Sequence, residues 1–352
     1  MNINKFINLN PAKIVLFSKN IFDISGGAER SMIAFLRNLS SNIEVIGFAN
    51  NNTNDKLEIK KQFKIRALKY FFSINISLFP YFQYALHRSK LKQIAKTIDS
   101  KSTLVAQSLW APVILNHFNG NKIYFARDET FYLKRGNYHE GIKYFLKIIY
   151  DFIELPFYMI FKHDQLMAIK NCNLIVANSN FMKTQILDID NSLNVDVTYP
   201  DIDISNLKIK YEIAKTKKNS HDWFLGEGIS MVGNTPDKGK SIFLKVANKF
   251  PDEKFYIFSK GLKKQIVKKN VSYIPWQENP ATIYAVSKII LVPSKYDEAY
   301  GRVAAEAAAL GLPCFVSGKG GLPEAVGTQE SIFSNFKELV EKIRIKLNEV
   351  NS

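Results

Sequence analysis

Short apolar runs bounded by turn residues alternate along this chain with segments of helical period. The runs predict strands at Lys13–Ser18, Glu44–Phe48, Leu104–Gln107, Ile123–Ala126, Leu174–Ala177 and Val195–Thr198. A second series is predicted at Ile229–Val232, Lys254–Phe258, Val271–Ile274, Lys288–Val292 and Cys314–Val316. Helical patterns lie between most of them, so both sheets are expected to be mostly parallel, in an α/β protein. Each series opens alike, with a strand, a glycine-containing turn and an amphipathic helix. In the first the turn is ISGGAER and the helix carries Met32, Ile33, Phe35, Leu36 and Leu39. In the second it is GNTPDKGKS, before Ile242, Phe243, Leu244, Val246 and Ala247. Two doubly wound domains are therefore expected.

One apolar segment departs from this alternation. Residues 144–161 approach the length of a membrane span. Lys147, Asp151 and Glu154 fall within it at helical spacing, and charges are costly at a bilayer centre. It reads as an amphipathic helix broken at Pro156, packed in the first domain or lying on a membrane. The Lys-rich stretch 208–222 reads as a surface loop or short helix.

Charge adds a partner class. The formal net charge is +16, from 48 basic and 32 acidic residues, which favours an anionic partner. Residues 55–101 hold eleven Lys/Arg against three Asp/Glu, interleaved with aromatics. That composition fits an anionic membrane surface or a nucleic-acid site, and equally a solvated face over an aromatic core. The chain has no recognisable nucleic-acid-binding motif, so nucleic acid is not an expected partner. Cys172 and Cys314 are far apart in apolar settings without metal-ligand spacing, and read as reduced core thiols of a cytoplasmic protein. No apolar h-region precedes the first strand, so export by a signal peptide is not expected.

The chemistry concentrates in PSKYDEAYGRVAAEAAALGLP, residues 293–313. A buried strand ends at Pro293, and a helix opens near Gly301 and stops at Gly311 and Pro313. Glu298 then lies on the loop at a strand's C-terminal end, where open α/β sheets bind ligands, and Glu306 lies inside the helix. The amides of Ala299, Tyr300, Gly301 and Arg302 would point from a helix N-terminus at a phosphate between the two carboxylates. The layout suits a sugar, a diphosphate and a ribose.

The stretch from Pro293 to Glu324, ending GKGGLPEAVG, resembles the C-terminal signature of retaining family 4 glycosyltransferases of the GT-B fold. The segments 172–204 and 13–39 are similar to that family to a lesser degree. The resemblance implies two Rossmann-like domains facing each other across a cleft, 1–199 and 200–352, since Tyr199–Ile204, YPDIDI, resembles the family's linker into the second domain. It implies a first domain that binds the acceptor, a second that binds a nucleotide-diphosphate-sugar, and a final helix near 336–347 that packs back on the first. Lys238, beside Gly239, would hold the diphosphate. Glu298 would hold the donor sugar's hydroxyls, and Glu306 the ribose. Gly26 and Gly27 would face the diphosphate from the first domain, and Trp276 would lie near the base. The family often carries an arginine near Asn234; here the charge must come from elsewhere, with Arg302 and Arg127 as candidates. Many relatives have a histidine where this chain has Arg127, followed by Asp128, which would orient the acceptor hydroxyl. His117 is a further candidate, with a structural role as the alternative, and Ser179 reads as a helix cap. No cofactor and no metal is expected, and no protein nucleophile is required.

The implied reaction moves a sugar from the donor to a hydroxyl of a glycan or lipid-linked acceptor, in surface polysaccharide synthesis. The protein would be cytoplasmic, on the inner membrane face. Two alternatives stand beside it. A nucleotide-sugar epimerase or hydrolase would use the same fold without an acceptor groove. A basic module would bind membranes or nucleic acid and no nucleotide diphosphate.

Overall fold

The computed structural model describes residues 13–19, 21–22, 27–37, 42–48, 62–68, 79–127, 141–216 and 228–351. Gly26 and Asp128 lie outside them. The chain divides into two units at Asp201–Ile202.

The first unit is built on a seven-stranded sheet of order β3-β2-β1-β4-β5-β6-β7. Its strands are β1 (Ile14–Ser18), β2 (Ile43–Phe48), β3 (Lys64–Leu68), β4 (Thr103–Gln107), β5 (Asn121–Ala126), β6 (Leu174–Ala177) and β7 (Val195–Val197), all parallel. Strands buried on both faces should be continuously apolar, and β1, IVLFS, is buried at every position. Helix α1 (Gly27–Arg37) covers one face, packing Met32, Phe35 and Leu36 against Ile14, Leu16, Val45 and Phe125. Edge strand β3, KIRAL, is half-exposed and was not predicted. Its Arg66 pairs at 2.8 Å with Glu44, a buried carboxylate that Lys13 also holds; burial works against that charge, and the two cations keep its pKa below the usual carboxylate range.

Helices α2 (Pro80–Lys96), α3 (Ala111–His117) and α4 (Ile142–Asn171) pack against one another. Arg88 of α2 meets Asp164 of α4 in a bidentate pair, 2.7 and 2.8 Å, and Tyr84 donates to the same carboxylate at 2.7 Å. Arg66 and Arg88, both inside the basic stretch 55–101, thus have structural partners. Pro156 does not break the long helix: α4 runs through it for 30 residues. Proline removes one N–H from the ladder. Phe152, whose carbonyl loses that partner, is exposed, so the freed acceptor is not sealed in a core.

The second unit repeats the plan. Its order is β10-β11-β9-β8-β12-β13-β14. The strands are β8 (Gly228–Val232), β9 (Lys254–Ser259), β10 (Ile266–Lys268), β11 (Val271–Pro275), β12 (Ser287–Val292), β13 (Cys314–Ser317) and β14 (Ile332–Phe333). Only the short edge strand β10 is antiparallel among them. Side chains alternate across β12: Ile289 and Leu291 join the core under α7 (Lys240–Lys249) and the final helix, α11 (Phe336–Asn351). Ile290 joins the opposite core, with α6 (Ile204–Thr216), α8 (Pro280–Ala285), α9 (Arg302–Ala309) and α10 (Leu322–Val326). Residues 208–216, read as loop or short helix, belong to α6.

Candidate active site

In the second sheet the strand order reverses between β8 and β12, which lie side by side. Two loops leave their C-terminal ends there, and such a switch point opens the crevice where doubly wound sheets bind ligands. Lys238 sits on the loop after β8 and Glu298 on the loop after β12. They meet: Lys238 Nζ donates to Glu298 Oε1 at 2.9 Å and to the Tyr296 hydroxyl at 2.7 Å. Ser294 Oγ also donates to Glu298 Oε1. The carboxylate is mostly buried, and no described residue bonds its second oxygen, Oε2. Burial works against the charge on Lys238, but Glu298 and then Tyr296 hold its pKa up at about 12. The ammonium is therefore a fixed cation at any physiological pH.

Glycines bring the loops this close. Gly239 caps α7 with φ 79°, and a Cβ there would stand 1.8 Å from the Pro293 carbonyl oxygen. Two residues further along that loop, the Lys295 N–H donates to the Asp237 carbonyl at 2.8 Å. Gly320, with φ 61°, lies against the Glu298 backbone, where a Cβ would come within 2.2 Å of its carbonyl oxygen. The neighbouring Gly321 N–H donates to that oxygen at 2.7 Å. The backbone of Glu298 is thus fixed from the β13 side.

Glu306 is buried on α9, with each oxygen bonded. Arg302 Nε donates to Oε1 at 2.6 Å, and the buried Tyr284 hydroxyl donates to Oε2 at 2.7 Å. Burial and then the Glu306 charge push the Tyr284 hydroxyl well above its ordinary pKa, so it stays a donor. Arg302, a candidate cation for a phosphate, has its Nε committed to Glu306. Gly301 caps α9 with φ 101°, after Ala299 and Tyr300. Asn234 Oδ1, on the loop after β8, is buried with no hydrogen-bond partner. Trp276 follows β11, two strands from β8, with Lys260 Nζ 5.1 Å from its ring centroid.

In the first unit Arg127 follows β5. Its guanidinium lies 4.5 Å from the Phe125 ring centroid, and its carbonyl accepts from Asn178 at 3.3 Å. Gly27 is the first residue of α1. His117 ends α3 with Nδ1 3.0 Å from the Val113 carbonyl, a local contact. Ser179 Oγ caps α5 (Asn180–Leu187), accepting the Met182 N–H at 3.0 Å. Burial pushes the Cys314 thiol up to about 12, which disfavours a nucleophilic thiolate. Among the described residues no three His, Cys, Asp or Glu side chains converge to hold a metal.

Sequence reasoning missed Ser294, Tyr296 and Tyr284. The first two stand at even steps from Glu298, so in an extended loop all three share a side. That alternation was available in SKYDE. Tyr284 lies in another helix and gives no such signal.

Two Rossmann-like sheets with this switch-point geometry define the GT-B fold, and solved structures agree. HepE of Anabaena, solved with UDP-glucose, superposes with TM-score 0.66 at 17% identity, covering 96% of this chain and 90% of that one. WaaG, a glycosyltransferase involved in lipopolysaccharide biosynthesis, gives 0.58 at 15%, with 95% and 90% covered. The UDP-GlcNAc 2-epimerase of Neisseria meningitidis, bound to UDP-GlcNAc, gives 0.59 at 15%, with 94% and 90% covered. More particularly, residues 235–350 match the family model for glycosyl transferases group 1, a segment that includes Lys238, Glu298 and Glu306. No curated protein matches the chain in sequence.

Proposed function

We propose that the protein is a retaining, metal-independent glycosyltransferase of family 4 that moves a sugar from a nucleotide-diphosphate-sugar to an acceptor hydroxyl. The observation that carries this reading is the Lys238–Glu298 pair at the β8/β12 switch point, with Glu298 Oε2 open. The group 1 match over 235–350 supports transfer, and the UDP and UDP-glucose bound to HepE favour a uridine donor.

As the bond from the anomeric carbon to the β-phosphate oxygen breaks, negative charge grows on that phosphate. A preorganised cation at that position stabilises the transition state more than the ground state. Lys238 is that cation, and the amides from Ala299 to Arg302 add partial positive charge. Glu298 Oε2 accepts hydrogen bonds from the sugar. Glu306 keeps lone pairs for the ribose beyond those used by Arg302 and Tyr284. Asn234 Oδ1, buried and unpartnered, accepts a further donor-substrate hydrogen bond. The acceptor oxygen attacks the face that the phosphate leaves, and the departing phosphate takes the acceptor's proton. The products are the glycoside and the nucleoside diphosphate. Of the first-unit residues, we propose Arg127 and Asp128 for the acceptor and Gly26 and Gly27 for the diphosphate.

The acceptor we propose is a glycan or lipid-linked saccharide in surface polysaccharide synthesis, reached at the cytoplasmic membrane face. The excess of basic residues and the relation to WaaG support this.

A thermal-shift panel of nucleotide-sugars tests the donor site, since ligands of the native state raise its melting point. A nucleoside-diphosphate sugar should stabilise the protein, and EDTA should leave transfer intact. Strict dependence on a divalent cation would overturn the metal-independent route. Donor consumption without any acceptor would place the chain beside its epimerase neighbour instead.

A further inference from the structure

An amphipathic helix on a globular protein turns its apolar side to the core. Over the first two thirds of α4 the reverse holds. Ile142, Phe145, Ile149, Phe152, Pro156 and Ile160 recur at spacings of three and four, so they share one side. All are exposed, Phe145 by 65% and Phe152 by 76%. Leu146, Ile153 and Met159 widen the stripe, and no charged residue interrupts it. The inward side carries a carboxylate instead, and Lys143, Lys147 and Asp151 lie off the stripe. Glu154 is buried, its carboxylate accepting the Tyr81 and Phe82 N–H groups of α2 at 2.8 and 3.2 Å. Most of the exposed large apolar side chains among the described residues lie on this one helix.

We infer that the outward stripe of α4, from Ile142 to Ile160, is a docking surface for an anionic lipid bilayer, lying in the plane of the interface. Its length is about 27 Å at 1.5 Å per residue. No helix among the described residues is long and apolar enough to cross a membrane, so the geometry is that of a helix lying on one. The rest of α4 is packed, with Phe161, Ala168 and Ile169 buried, which holds the stripe rigid before contact. Charge selects the occupant. A second copy would bring another +16 against this one, whereas an anionic surface attracts it. Helix α2, packed beside α4, carries Lys92 and Lys96 and no acidic residue, and Lys143 lies at the stripe's start. Apolar burial and basic flanks together are the two signals that stable peripheral binding needs.

The inference builds on the membrane location proposed above and not on the transfer chemistry. Its test is co-sedimentation with vesicles of phosphatidylcholine containing phosphatidylglycerol, and with phosphatidylcholine alone. The wild type should partition onto the anionic vesicles. Phe145→Glu with Phe152→Glu should lower that partitioning at least about 30-fold, from the lost burial of two aromatic rings. Lys92→Glu with Lys96→Glu should remove the preference for anionic lipid. Both sites are at the surface, and an unchanged circular dichroism spectrum and melting temperature show each variant folded. Phe152→Trp gives a direct readout: water-like emission in buffer, moving to the blue on vesicles and quenched by lipid brominated in its acyl chains. Equal sedimentation of wild type and glutamate variant overturns the inference. So does blue emission without vesicles: concentration-dependent, it marks a second copy; concentration-independent, a segment of this chain.

Discussion

Each sheet of this protein presents a lysine where its strand order reverses, and the two lysines differ sharply. In the second sheet, Lys238 has a carboxylate beside it and is held at about 12. In the first, Lys19 follows β1 next to β4, its Nζ 4.4 Å from the Trp110 ring centroid. Burial alone pulls Lys19 down to about 8, and no carboxylate among the described residues pairs with it. Trp110 is itself stacked on the buried His87 at 4.6 Å. The same topology therefore places an amine at each switch point, and the neighbour decides whether that amine is a permanent cation or titrates near neutrality. Only the second is suited to the fixed role proposed for it at a diphosphate.

The largest expected effect tests that role. Lys238→Ala or Glu298→Ala should lower sugar transfer by about 100-fold to 1,000-fold, as removal of one preorganised group does elsewhere. Circular dichroism should show the fold intact. Wild-type rates in both variants would mean that the donor binds somewhere else.

Next comes the loop contact that makes the pair possible. Gly239→Ala should cost about 3 kcal/mol or more in urea denaturation, because its Cβ would overlap the Pro293 carbonyl. Gly261 has φ 86° and nothing within 4 Å of an added Cβ, so Gly261→Ala should cost only the left-handed conformation, about 1 kcal/mol. Equal costs would show that close approach is not what holds the loops.

A subtler experiment targets the partner effect itself. Amine acetylation followed by mass spectrometry against pH should find Lys19 reactive near pH 8 and Lys238 inert below about pH 10. Glu298→Gln removes the largest influence holding Lys238 up, so its reactivity should move to lower pH while Lys19 stays put. An unmoved Lys238 profile would assign its charge to something other than Glu298.

The smallest effect concerns the base of the first switch point. Burial lowers the pKa of His87, which is bonded through Nδ1 to the Gln83 carbonyl at 2.8 Å and faces Lys90 and Lys19. A depressed histidine favours the neutral form in the folded state. Its contribution is complete above the ordinary value of about 6.5 and is lost as pH falls through the window below it. The melting temperature should therefore decline from pH 7 toward 5, and His87→Phe, which keeps the aromatic stack, should flatten that decline.

Much of this was legible in the sequence, for definite reasons. Buried parallel strands are continuous apolar runs, so Ile229–Val232 and Lys288–Val292 were placed within a residue or two of β8 and β12. Gly301, Gly311 and Pro313 punctuate α9, which put Glu298 on a loop and Glu306 in a helix. Strand β3 escaped because KIRAL is a half-exposed edge whose Arg66 serves Glu44 across the sheet. The short edge strands β10 and β14 bury too little to leave a pattern. The Lys238–Glu298 contact spans 60 positions and exists only because β8 and β12 are neighbours. Periodicity showed that residues 144–161 were helical and apolar, but not which side faced out, because an acidic residue, Glu154, occupies the inward side.

The bond between Lys238 and Glu298 also has a thermodynamic consequence. The pair neutralises its own charge, so in the donor site proposed above a phosphate would compete with an internal anion for the ammonium. Glu298 Oε1 would then keep only its bond from Ser294 and gain room to accept from the sugar, so one half of the proposed substrate would prime the receptor for the other. Free nucleotide and free monosaccharide should then enhance each other's affinity, and severing the internal pair would uncouple them.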